Sequence, residues 1–215
     1  MQKPIAVLAG TPVDTQMGID VLAAAGLTGL AFPLANDPWE QTAFQISSPD
    51  EKWEKTLQVL HTAQAQGCEK AFVYCNSLSA SVDFSALAAE TGLKIVTPLD
   101  VYRRLAVNYQ RLGFIAANAQ GLAGIEKTLL SANPSLELRS AGLLPVVLSI
   151  EAGIPPKQLV EQHHLTALAD WFKACGVEAL LLGCTHFPYF KTELAQRTTL
   201  PLIDPADEML RLLMN

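Results

Sequence analysis

The 215-residue chain carries a net charge of −6, half of its residues are hydrophobic and 17% are charged. This composition excludes disorder, and a chain of this size buries about 70% of its accessible surface as one large domain or two small lobes. With no Lys/Arg cluster on any predicted face, a nucleic-acid backbone is not expected as partner, whereas a small anionic molecule held by local backbone amides is.

No apolar stretch approaches the roughly 20 residues of a membrane span, and the N-terminus lacks a basic region followed by an apolar core and a small-residue cleavage site. A cytoplasmic protein without a membrane partner is therefore expected. In such a compartment the four cysteines are expected as free thiols.

In chain order, apolar runs bounded by turn residues predict strands near 5–9, 28–33, 70–75, 94–96, 111–116, 138–143, 178–183 and 201–203, with helical patterns between most of them. Ser47-Ser48-Pro49-Asp50-Glu51 reads as a helix start, with a hydroxyl cap, proline in the first turn and acids facing the helix dipole. One further helix is predicted to follow Ile154-Pro155-Pro156 and to run through Leu168 and Trp171 to about Cys175. Strands alternating with helices of this length imply parallel sheets with right-handed crossovers. The apolar C-terminal segment Met209–Met214 is expected to cover its own lobe, with a homodimer contact as the alternative use.

The chain also repeats itself. Gly67–Cys75 is echoed by Gly176–Cys184 at a constant offset of 109 residues, Ile95–Pro98 by Leu202–Pro205 at 107, and Ile5–Ala9 by Leu112–Ala116 at 107. The expected fold is α/β, with two similar flavodoxin-like lobes related by a pseudo-two-fold axis and an active site between them. Residues 1–97 with 205–215 form the first lobe and 98–204 the second. Each lobe presents one thiol, Cys75 or Cys184, where a buried strand gives way to a loop, the edge at which open α/β sheets bind ligands. Cys68 and Cys175, beside Gly67 and Gly176, read as small buried packing residues.

Two thiols facing one molecule from opposite sides suit removal of a proton from one face of a carbon and delivery to the other. Their reference pKa of about 8.5 allows one to be a thiolate while the other stays protonated. A zinc site built from Cys75, Cys184 and His186 is an alternative that the short ligand spacing and the lack of a Cys-x-x-Cys disfavour.

These residues resemble a known family. Cys75-Asn76-Ser77 is similar to the Cys-Asn-Thr motif of glutamate racemases, and Gly183-Cys184-Thr185-His186-Phe187-Pro188 matches their Gly-Cys-Thr-His-Phe-Pro signature. The resemblance to the aspartate/glutamate racemase superfamily runs over nearly the whole chain. It implies racemisation of an acidic amino acid without pyridoxal phosphate, metal or other cofactor, in the supply of a D-amino acid to cell-wall peptidoglycan. Cys75 and Cys184 are the implied acid/base pair and His186 a proton partner of Cys184. Asn76, Ser77 and Thr185 are implied to hold the substrate's carboxylate and ammonium.

The chain departs from the family at three loops. Gly10–Gly18 replaces the Asp-Ser-Gly segment after the first strand; there Thr11, Asp14 and Thr15 are expected to bind substrate, and Asp14-Thr15 resembles the acid–hydroxyl pair of aspartate racemases. Thr42-Ala43-Phe44-Gln45 stands where the Pro-Tyr-Gly substrate loop is expected, and Phe44 lacks a hydroxyl to donate. Asn118 stands where the family carries threonines. Lost hydrogen bonds of this kind change specificity, leaving glutamate and aspartate both open as substrates.

The chain also stops soon after Pro205, where glutamate racemases add helical structure, so a smaller first lobe is expected. Alternative readings are a hydantoin racemase, maleate isomerase or arylmalonate decarboxylase type of carbanion enzyme, or a non-catalytic binder of small carboxylates.

Overall fold

Two parallel four-stranded sheets, each flanked by helices, make up the protein in the computed structural model, which describes residues 3–215 apart from the side chain of Pro38. The strands are β1 (Ile5–Ala9), β2 (Gly29–Pro33), β3 (Lys70–Val73), β4 (Lys94–Val96), β5 (Arg111–Ala116), β6 (Glu137–Gly142), β7 (Ala179–Leu182) and β8 (Leu202–Ile203). The helices are α1 (Pro12–Ala24), α2 (Pro38–Ile46), α3 (Pro49–Ala65), α4 (Asn76–Ser81), α5 (Phe84–Thr91) and α6 (Pro98–Leu105), then α7 (Ala119–Ala132), α8 (Leu144–Glu151), α9 (Pro156–Gln162), α10 (Leu165–Ala174), α11 (Pro188–Ala195) and α12 (Ala206–Met214).

Strand orders are β2-β1-β3-β4 and β6-β5-β7-β8, the same topology twice. The register repeats as well: Ile5 pairs with Lys70 in one sheet, and Leu112 with Ala179 in the other. The internal sequence repeat is therefore a structural repeat. Central strands β1 and β7 are buried along their whole length, which is why they read as unbroken apolar runs, while β2 and β6 at the sheet edges are largely exposed.

Contacts divide the chain into one unit running through Val101 together with Ala206–Asn215, and a second spanning Tyr102–Pro205. In the first unit α12 returns to pack on β3 and β4, burying Met209 and Leu213, and Lys70 Nζ donates to the Leu213 carbonyl at 2.9 Å. The C-terminal segment thus covers its own sheet. Its amphipathic pattern supplies the reason: the buried positions recur at helical spacing on one face.

The helix start at Ser48 is formed as its sequence predicts. Ser48 Oγ accepts from the Glu51 amide at 3.2 Å and Glu51 Oε2 accepts from the Ser48 amide at 3.0 Å, a reciprocal capping box. The single helix expected between Pro156 and Cys175 is instead two, α9 and α10. The chain breaks at His164, which adopts φ 50°, a left-handed conformation that ends one helix and redirects the next. The Ser149 hydroxyl lies 2.8 Å from His163 Nε2 and ties this corner to α8.

Among the described residues no helix is long and apolar enough to cross a membrane. All four cysteines are free thiols.

Candidate active site

In the first unit the chain leaves β3 through Tyr74, whose amide donates to the Leu8 carbonyl at 2.7 Å and extends the strand pairing by one residue. Cys75 follows as the N-cap of α4, with 4% of its surface exposed. Its Sγ lies 3.5 Å from Gln41 Nε2 and 3.5 Å from Ser77 Oγ. Gln45 Nε2 donates to Ser77 Oγ at 2.7 Å. Gln41 and Gln45 are four residues apart on α2, so both amides face the cysteine loop from one side of the helix.

Gln41 reaches the thiol because Gly10 has no side chain. A Cβ at Gly10 would stand 1.9 Å from Gln41 Nε2.

The loop after β1 is closed by its own side chains. Asp14 accepts from the Gly10 amide at 3.1 Å, the Thr11 amide at 2.6 Å and the Thr11 hydroxyl at 2.9 Å, and the Thr15 hydroxyl donates to the Thr11 carbonyl at 2.7 Å. Thr11, Asp14 and Thr15 are all buried. These contacts brace the loop and cap α1. Phe44 lies in the apolar cluster that contains Cys75 and Leu78, with the Lys55 ammonium 5.5 Å from its ring centroid. The Thr42–Gln45 stretch, expected as a substrate loop, is helical.

In the second unit β7 ends at Leu182, and the Gly183 amide donates to the Ile115 carbonyl at 2.8 Å. A Cβ at Gly183 would stand 2.7 Å from the Ile115 oxygen and 2.5 Å from Ile125 Cδ1, so only glycine allows the loop to lie this close to β5. Cys184 is 8% exposed, and its Sγ lies 3.7 Å from His186 Nδ1. His186 Nε2 in turn lies 3.1 Å from Glu151 Oε1, the last residue of α8.

In the neutral imidazole such a carboxylate neighbour favours the proton on Nε2, which leaves the Nδ1 lone pair facing the thiol. A thiol, a base and a group that orients the base are thereby lined up. Thr185 is buried between Cys184 and His186 in the chain, and Asn76 is buried next to Cys75. Asn118 caps α7, with Oδ1 accepting from the Gly121 amide at 3.0 Å.

Glu151, Gln41 and Gln45 escape a reading of the sequence. Glu151 stands 35 residues before His186 with no motif around it. The two glutamines did leave a signal: Asp37-Pro38 is a helix start, Asp37 Oδ1 accepting from the Trp39 and Glu40 amides at 2.8 Å each, and four-residue spacing puts both on one face. Among the described residues no group of three or more His, Cys, Asp or Glu is placed to hold a metal ion.

No family model matches the chain. A glutamate racemase of Limosilactobacillus reuteri (strain DSM 20016) is 34% identical over 107 residues, which is 48% of this chain and 40% of the relative. Over that stretch the chain is similar to a glutamate racemase.

Solved structures share the fold. The glutamate racemase of Francisella tularensis subsp. tularensis SCHU S4, in complex with D-glutamate, superposes with a TM-score of 0.75 at 21% identity, covering 99% of this chain and 80% of that one. An aspartate racemase homologue from Pyrococcus horikoshii OT3 superposes with a TM-score of 0.73 at 14% identity, covering 100% of both. The chain shares its fold with these two proteins. The chain's match spans less than half of the curated glutamate racemase's length.

Proposed function

We propose that the protein is an amino-acid racemase that interconverts the enantiomers of an acidic amino acid, with glutamate the leading substrate, through its own two thiols. The observation that carries this reading is the equivalence of Cys75 and Cys184. Both are buried thiols just past the third strand of topologically identical sheets, and each has hydrogen-bonding partners within reach of its sulfur. Racemisation at an α-carbon needs a base to take one proton and an acid to give another, and a tuned thiol does either.

In this reading one cysteine removes the Cα proton as thiolate and the other, as thiol, returns a proton, so that the next turnover runs in the opposite direction. His186, oriented by Glu151, exchanges a proton with Cys184. Asn76, Ser77 and Thr185 hold the substrate's carboxylate and ammonium. Asp14, Thr15, Phe44 and Asn118 shape the surrounding loops. The Francisella tularensis glutamate racemase, solved with D-glutamate, supports glutamate as the first substrate to try. A cytoplasmic setting accompanies the proposal, since free thiols persist there.

The test is proton NMR of the purified protein in deuterium oxide with each enantiomer of glutamate and aspartate, following the Cα proton signal. Exchange that disappears in Cys75→Ser and in Cys184→Ser is the expected result. No exchange with any of the four, or full activity in both variants, would refute the reading.

A further inference from the structure

We infer that Gln41 is a positioning residue that, together with Ser77, favours the thiolate form of Cys75; the inference deepens the racemase reading above and rests on it for its catalytic meaning. The argument follows the protons. Gln45 Nε2 donates to Ser77 Oγ at 2.7 Å, which occupies one lone pair of that hydroxyl and leaves its own hydrogen to be donated elsewhere. The sulfur of Cys75 stands 3.5 Å away. Gln41 Nε2 carries hydrogens only and approaches the same sulfur at 3.5 Å. Two donors therefore converge on one sulfur, and donors favour the form that only accepts, the thiolate.

Cys184 has a different neighbour: its sulfur lies 3.7 Å from His186 Nδ1, on an imidazole whose other nitrogen lies 3.1 Å from Glu151. The two cysteines, equivalent by topology, thus differ in the groups that touch them.

Gly10 is part of the same device. Its missing Cβ opens the space that Gln41 Nε2 occupies, and because the obstructing atom is a side-chain end, alanine at position 10 displaces the amide without breaking the backbone. Ionisable groups lie around this network: the Lys52 ammonium donates to the Gln45 carbonyl at 3.4 Å. Asp14 binds the Gly10 and Thr11 amides, while Glu40 and Lys55, 3.8 Å apart, are both substantially solvent-exposed.

The experiment is peptide-resolved alkylation of Cys75 by iodoacetamide across a pH series, in the otherwise unaltered chain, for wild type, Gln41→Leu and Gly10→Ala. The midpoint of the rate profile reports thiolate formation independently of turnover and of how far the site opens. Both variants are expected to move the Cys75 midpoint upward by about one pH unit or more while leaving that of Cys184 in place. An unmoved Cys75 midpoint in a folded variant overturns the inference. The two readings fail separately: moved midpoints without Cα exchange would leave the donor network standing and remove the racemase, and exchange with unmoved midpoints would do the reverse.

Discussion

His186 Nε2 and Glu151 Oε1 are 3.1 Å apart, a contact that joins the loop after β7 to the last residue of α8 and fixes which imidazole nitrogen faces Cys184. Glu151→Gln keeps the shape of the side chain but loses the charge, and its amide is as ready to donate to the ring as to accept from it. In the proposed racemase, turnover with glutamate is expected to fall roughly 10- to 100-fold, mainly in kcat, while circular dichroism stays unchanged. Equal kcat in the variant would show that Glu151 does not orient the base.

At Gly183 packing and chemistry coincide. Gly183→Ala pushes a methyl group into the Ile115 carbonyl and the Ile125 side chain, and neither the strand nor its hydrogen bond gives way easily. Urea denaturation is expected to register a loss of about 1–3 kcal/mol, the usual range for overpacking. Activity should fall further than stability, since the loop that shifts carries Cys184.

Glu178 offers a test in pH. The Arg111 amide, and after it the Gln110 amide, hold its carboxyl below the ordinary carboxylate range, the two bonds being 2.9 and 2.8 Å. A lowered folded pKa means that the unfolded chain takes up the proton first. The stabilisation is therefore complete above the ordinary value of about 4.3 and is lost as pH falls through the lower folded value. Urea midpoints measured at a series of acidic pH values should decline less steeply in Glu178→Gln than in wild type. Parallel curves would mean that the carboxylate contributes no linkage.

The break between α9 and α10 makes a fourth prediction. His164 holds a positive φ, which β-branched side chains resist most. His164→Val should be about 1–2 kcal/mol less stable than His164→Gly in chemical denaturation. The two variants matching in stability would place the left-handed residue elsewhere.

The strands were legible because the central ones are buried on both sides and read as continuous apolar runs: β1, β4 and β5 fall at their predicted limits, and the others within a few residues. The internal repeat was legible for the same reason, since equivalent strands meet equivalent packing demands. The turn at His163-His164 was not, because neither glycine nor proline marks it and the pattern on either side is helical. Within the candidate site, the position of each cysteine at a strand end could be read from its glycine and its apolar run. His186 could be read beside Cys184 from the motif; Gln41 and Glu151 could not, because Gln41 meets Cys75 and Glu151 meets His186 through folding rather than through proximity in the chain.

Two sheets of one topology thus carry thiols with unlike neighbours, neutral amide and hydroxyl donors at Cys75 and an imidazole–carboxylate pair at Cys184. For a reaction between mirror images the equilibrium constant is unity, so thermodynamics forces kcat/KM to be the same in both directions whatever the two sides are made of. The unlike neighbours can therefore express themselves only as a trade, a faster kcat for one enantiomer matched by its proportionally weaker KM. Under the proposed racemisation, the difference between the two cysteines' neighbours is one of saturation: it decides which enantiomer turns over faster when abundant, and has no influence on which one accumulates.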